Sequence, residues 1–247
     1  MTDDSVRNKV VLVTGAGSGL GAATARAFAA AGARVACLEV RAERAERIRD
    51  DLIALGAEAV AFPCDVSDAD AVFSTVEAVL ARFGRIDVAV NCAGIDHILP
   101  VEDLSVAQWD RVIGVNLRGP FLIAKAVFPL MRGQGGGDII NIASTAAVRA
   151  WANASAYHAS KWGLRGFSRG LSVEGRGDNI RVTTVIPGGM RTGWFETFPE
   201  QNIPLPDPST LQDPANVAAA ILLAVRMPAD SAVQEIVVTP PGEPSWP

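Results

Sequence analysis

The chain has 247 residues, 49% of them hydrophobic and 20% charged, with a formal net charge of −5. That is an ordinary globular balance; the acidity argues against a nucleic-acid surface, and no apolar run reaches the ~18 residues of a membrane span. The three cysteines, Cys37, Cys64 and Cys92, are an odd number without CxxC spacing, which reads as reduced thiols in a cytoplasmic protein.

The first residues, "MTDDSVRNK", are acidic and polar and do not read as a signal peptide. "KVVLVT" (9–14) is a β-branched run that predicts a buried strand. "GAGSGLG" follows, then an alanine-rich helical stretch to Ala31 closed by Gly32. "RVACLE" (34–39) predicts a second strand, 41–55 an amphipathic helix stopped by Gly56, and "AEAVAFPCD" a third strand. "SDADAVFSTVEAVLARFG" (67–84) predicts a helix with Ser67 as N-cap, and "IDVAVNCAG" a fourth strand. The beat repeats: helix over roughly 105–132, the strand "GDIINIAS", helix over 155–174, the strand "IRVTTVIPGG", helix over 213–226, and the strand "EIVVT". Strands alternating with helices imply βαβ units and a doubly wound parallel sheet of about seven strands. No linker cuts the chain, so residues 1–247 read as one domain. The irregular, proline-rich stretch 193–212 carries Trp194, Phe195 and Phe198 and reads as a substrate lid.

The glycines Gly15, Gly17, Gly19 and Gly21 lie between the first strand and first helix. Glycine lets a backbone approach a pyrophosphate, and a helix N-terminus supplies free N–H groups. A tight turn alone would also use glycines; the strand–loop–helix–strand context favours the dinucleotide reading. Glu39 ends the second strand, where a carboxylate can accept both ribose hydroxyls of an adenosine.

The sole tyrosine, Tyr157, stands four residues before Lys161 in "YHASK", so the two share a helix face. A free phenol has a pKa near 10. An ammonium about 4 Å away supplies roughly the 4 kcal/mol needed to bring it near 7. The pair then makes a general acid/base, although a plain surface pair has the same spacing. Ser144 ends the strand "DIINIAS" on the edge where α/β sheets put ligands.

Together these stretches resemble the short-chain dehydrogenase/reductase family over almost the whole chain. "TGAGSGLG" (14–21), including Ser18 and Leu20, is similar to its cofactor loop, and "CDV", with Asp65 and Val66, to its adenine-contacting segment. "NCAG", with Asn91, Ala93 and Gly94, resembles its NNAG motif, and "VNLRG" carries Asn116 at its active-site asparagine. "PGGMRT" resembles its PGxxxT segment, which implies nicotinamide contacts from Ile186, Pro187, Gly188 and Thr192. The resemblance implies a three-layer Rossmann fold and an NAD-dependent enzyme of secondary alcohols or ketones. Within it Tyr157 passes the proton, Ser144 orients the substrate oxygen, Lys161 binds the nicotinamide ribose, and Asn116 supports a water linking Lys161 to solvent.

Cys92 departs from NNAG, which removes a polar group expected to tie neighbouring strands; the thiol is not expected to be reactive. The C-terminal "TPPGEPSWP" departs from the family's glycine-rich turn. Ile95, Leu99, Trp151, Met190, Trp194 and Phe195 are expected to line an apolar pocket, and His97 is more readily placed in a loop. Trp162 reads as packing, Arg149 and Arg191 as surface arginines, and His158 as turned away from the chemistry. No cluster has metal spacing. The partners expected are a small-molecule alcohol or ketone and further copies of the chain, as a homotetramer or else a dimer. Neither a membrane nor a nucleic acid is expected. A 3-oxoacyl thioester reductase and a non-catalytic NAD-binding sensor or scaffold are the alternatives.

Overall fold

A computed structural model describes residues 5–196 and 205–243. The described residues hold seven strands and seven α-helices: β1 (Val10–Thr14), α1 (Gly19–Ala30), β2 (Arg34–Glu39), α2 (Ala42–Ala54), β3 (Ala59–Pro63), α3 (Ala69–Phe83) and β4 (Val88–Asn91) come first. Then follow α4 (Val106–Ile113), α5 (Gly119–Gln134), β5 (Gly137–Ile142), α6 (Ser155–Gly175), β6 (Ile180–Pro187), α7 (Pro214–Arg226) and β7 (Glu235–Val238). The strands form one sheet in the order β3-β2-β1-β4-β5-β6-β7, and every pairing is parallel. This is the three-layer Rossmann arrangement expected from the sequence.

Period-2 alternation divides the core. Val11 and Val13 of β1 pack with Phe28, Ile48, Leu52 and Ile221 on one side of the sheet. Val10 and Leu12 pack with Val76, Val79, Ile123 and Leu171 on the other. All four β1 valines and leucines are fully buried, so the strand reads as a continuous apolar run rather than as an alternating one. The sheet grows in opposite directions from β1 and β4, which makes their C-terminal ends a topological switch point.

Two local details differ from the sequence reading. Asp68, not Ser67, caps α3, its carboxylate accepting from Asp70 N and Ala71 N; the Ser67 hydroxyl turns instead to Asp65. Between α4 and α5 the chain makes a π turn, Gly114–Arg118, of the kind often found at functional sites. The stretch Val106–Gln134 is long and apolar enough by composition to cross a membrane, but 50% of its most apolar window is buried, as in a core helix. Trp162 does not pack inside: it is 51% exposed. Residues 197–204 of the expected lid, with Phe198, and the last four residues of the C-terminal stretch lie outside the described residues.

Candidate active site

The glycine turn gives the site its first wall. Gly15 and Gly19 hold φ values of +64° and +50°, which side chains disfavour. A Cβ on Gly21 would sit 2.1 Å from the Gly15 carbonyl oxygen, so only glycine lets the turn close there. Ser18 begins α1 in an extended conformation, with no side-chain cap and no acidic residue in the first turn. The first N–H groups of α1 and its positive end therefore face the cleft without an internal anion.

Glu39 is only 8% exposed. One oxygen accepts from Gly17 N at 3.2 Å and the other from Arg41 N at 3.3 Å. Those bonds fix the carboxylate at the end of β2, beside the glycine turn. Around it the cleft is lined by Arg41, Arg44 and Arg47. Arg34, near in sequence, is elsewhere: its guanidinium donates to Asn8 O. Asp65 and Val66 also line the cleft. Burial alone would raise the Asp65 carboxyl, but hydrogen bonds from Ser67 and the Arg111 guanidinium hold it below its ordinary value.

The other wall comes from the ends of β4, β5 and β6. The Thr14 hydroxyl accepts from Cys92 N at 3.0 Å and Ala93 N at 3.1 Å, bending the chain after β4 so that Ala93 and Gly94 face the cleft. Asn116, 1% exposed in the π turn, accepts from Ile95 N at 2.9 Å and donates to Ile95 O and the Ser160 hydroxyl. Its amide thus fixes the exit from β4 and ties it to α6. Ser144 follows β5 and caps the next turn through Ala146 N. Its hydroxyl also faces the Tyr157 phenol and favours the phenolate. Lys161 lies behind the phenol, its Nζ 5.5 Å from the ring centroid and donating to Ile142 O at 2.8 Å. Pro187, Gly188 and Thr192 complete this end. The whole cleft is about 1000 Å³ and runs from the arginines beside Glu39 to Ser144 and Tyr157.

A family model described as short chain dehydrogenase matches residues 9–203. The chain belongs to the short-chain dehydrogenase family. It is 45% identical over 185 residues to a D-threitol dehydrogenase of Mycolicibacterium smegmatis, covering 75% of this chain and 71% of that protein. It is 36% identical over 196 residues to the 3-oxoacyl-[acyl-carrier-protein] reductase FabG of Thermotoga maritima, covering 79% and 80%. The structure of a metagenomic short-chain oxidoreductase in complex with NADP superposes with a TM-score of 0.84 at 34% identity, covering 96% of this chain and 98% of that one. The glycine turn, the uncapped start of α1 and the restrained Glu39 fit a nicotinamide dinucleotide.

This short-chain dehydrogenase departs from its sequence reading at several residues. Asn91 does not line the cleft. It is 3% exposed, and its amide donates to Asn141 at 2.8 Å. The polar strand tie expected at position 92 is therefore made by Asn91, and Asn141 extends it to Ser168. Desolvation pushes the Cys92 thiol up to about 12, consistent with an inert thiol. Ile186 is fully buried among Ala143 and Ala147 rather than facing a nicotinamide. Leu99 and His97 do not line the cleft, whereas Ile95, Trp151, Met190, Trp194 and Phe195 do. Arg149 is no surface arginine: it lines the cleft and is ion-paired with Glu243. Arg191 does stand outside, bonded to Leu211 O.

The phenol differs most. Burial raises the Tyr157 pKa above its ordinary value, against the pull of the Ser144 hydrogen bond. Desolvation likewise pushes the Lys161 ammonium down to about 8. The expected value near 7 for the phenol counted the ammonium's attraction but not the cost of burying either charge. Arg44, Arg47 and Glu243 were missed as cleft residues. The two arginines stand in the first and second turns of the amphipathic α2, and Glu243 lies after the last strand, where no motif marks it.

Proposed function

We propose that the protein is an NAD-dependent oxidoreductase of secondary alcohols and ketones, with Tyr157 as its general acid/base. The observation that carries this is the grouping of Ser144, Tyr157 and Lys161 at one end of a cleft whose other end is a glycine cradle and an anchored carboxylate. A bound nicotinamide supplies or accepts the hydride. The chain's own groups handle the oxygen and its proton. Ser144 and the phenol converge on the substrate oxygen, and the phenol gives or takes the proton. Lys161 stabilises the phenolate that remains, and a cationic nicotinamide nearby would offset part of the burial cost. Trp194, its ring 5.4 Å from that of Tyr157, with Trp151 and Met190, gives the substrate end an apolar wall. A screen of secondary alcohols with NAD⁺, read at the NADH absorbance, tests the proposal; no turnover with any of them, nor of ketones with NADH, would refute it.

Similarity to FabG keeps a 3-oxoacyl thioester as the second reading. Arg149, which lines the cleft beside Trp151, is already paired with Glu243, which favours neutral substrates. Including a 3-oxoacyl thioester in the screen separates the two.

The segment after Thr192 supports a lid. Trp194, Phe195 and Glu196 reach the cleft from one side of it, and Pro206 and Leu211 from the other. Amides across 193–210 are expected to exchange more slowly with NAD and substrate together than without them; equal exchange would exclude a lid. Assembly as a homotetramer, or a dimer, rests on apolar side chains exposed on the helices flanking the π turn and on α6: Trp109, Phe121, Trp162 and Val173. Sedimentation at micromolar concentration should show no monomer.

A further inference from the structure

His158 follows Tyr157 directly, yet its ring reaches back over the loop that begins at Ser144. Nδ1 stands 2.9 Å from Ala146 O, and Nε2 accepts from Trp151 N at 3.1 Å. A carbonyl only accepts and an amide N–H only donates. Both contacts therefore require one form of the ring, the neutral imidazole with its proton on Nδ1. The ring also meets the Trp151 indole edge to face, with centroids 4.4 Å apart and planes at 70°. Residues 146–151 are thus closed into a loop whose two ends hang on one imidazole. Trp151 lines the substrate end of the cleft although it is 44% exposed. A residue of the catalytic helix thus holds this wall through both its main chain and its ring.

We infer that His158 is a positioning residue whose neutral Nδ1–H tautomer holds Trp151 against the substrate pocket, and whose protonation releases that wall and weakens substrate binding. The inference rests on the proposed activity only for its kinetic consequence. An imidazolium carries a proton on both nitrogens, so Nε2–H would face the Trp151 N–H, donor against donor. That bond must break, and the tryptophan loses its main-chain anchor. Charged groups of both signs stand around the ring. Asp96, from the segment after β4, interacts electrostatically with His158 and favours the imidazolium. Lys161 and Arg165 share α6 with the ring, and the Arg149 guanidinium lies 5.9 Å from the Trp151 ring centroid with Glu243 as its partner. Arg165 is in turn bound to Glu235 and to Ala147 O.

The chain has two histidines, which makes the tautomer directly observable. Long-range ¹H–¹⁵N spectra at pH 8, assigned with His97→Gln, are expected to show His158 with a protonated Nδ1 and an unprotonated Nε2. An Nε2–H tautomer, or two nitrogens averaged by exchange, would overturn the clamp. This result stands whether or not the alcohol screen finds a substrate.

The kinetic arm uses the substrate so found. Between pH 8 and pH 5.5 the wild-type KM should rise at least about fivefold, the loss expected from one main-chain hydrogen bond. His158→Gln keeps a donor and an acceptor but does not titrate, so its KM should stay within about twofold over the same range. If the glutamine variant keeps the wild-type rise, another group such as Asp96 is responsible and the inference fails. His158→Ala at pH 8 should raise KM by more than it lowers kcat; the reverse split would overturn a positioning role.

Discussion

Tyr157→Phe is expected to keep cofactor affinity within about twofold and to lose more than about 100-fold in kcat, the usual minimum for removing a general acid/base. The substitution is close to a pure deletion of the hydroxyl. The phenylalanine ring would still pack 5.4 Å from Trp194 and above the Lys161 ammonium, so cleft shape is retained. What disappears is the hydroxyl that faces Ser144 at the reacting end. A general acid must give up its proton readily, and burial holds the phenol above its ordinary value. The pH profile of the wild-type kcat then asks whether binding of a cationic nicotinamide makes up the difference. Affinity is read from NADH fluorescence and kcat from the screened substrate. A variant with near-normal kcat would remove Tyr157 from the chemistry.

The second expectation is a preference for NAD over NADP of at least about 30-fold in kcat/KM. A ribose offers two hydroxyl donors, and the Glu39 carboxylate accepts both. NADP puts about −1.5 to −2 charges in place of the 2′-hydroxyl. At about 4 Å and an effective dielectric near 20, each unit of like charge costs roughly 4 kcal/mol before screening. Solvent and salt reduce that to about 2–4 kcal/mol, or about 30- to 1000-fold. A free glutamate could swing aside, but this one would forfeit its bonds to Gly17 N and Arg41 N in doing so. Arg41, Arg44 and Arg47 act the other way, since they line the same end of the cleft. Glu39→Gln should therefore narrow the gap strongly: it removes the charge and leaves three guanidiniums for the phosphate. Equal kcat/KM for the two cofactors in the wild-type enzyme would show that Glu39 does not discriminate.

The strand–helix beat was legible because buried parallel strands and their covering helices leave different periods in the sequence. All seven strands fell within the stretches read as strands. The glycine turn, Glu39, Ser144, Tyr157 and Lys161 were legible for a related reason: each sits at the C-terminal end of a strand or on one face of a helix, so local pattern gives its place. What escaped depended on long-range geometry. Asn91 and Cys92 are neighbours in a motif, and only the register of β4 against β5 shows that Asn91 meets Asn141. Arg149 looked like a solvated arginine because its partner, Glu243, is 94 residues away. The acidity of the phenol was misjudged since spacing reports attraction between charges and says nothing of their dehydration.

The strand order has a consequence for how the enzyme comes into being. Gly15, Glu39, Ser144, Tyr157 and Glu243 border one cleft, yet they belong to βα units spread across the sequence. Such distant pairings close large loops and form slowly. A domain folds as a unit, so neither half of the sheet offers a finished cleft by itself. The glycine turn and Glu39 on one side, and Ser144 and Tyr157 on the other, meet only when β4 and β5 pair. A dinucleotide spanning both sides would then bind the closed sheet and not the open chain, and so would raise the stability of the whole domain.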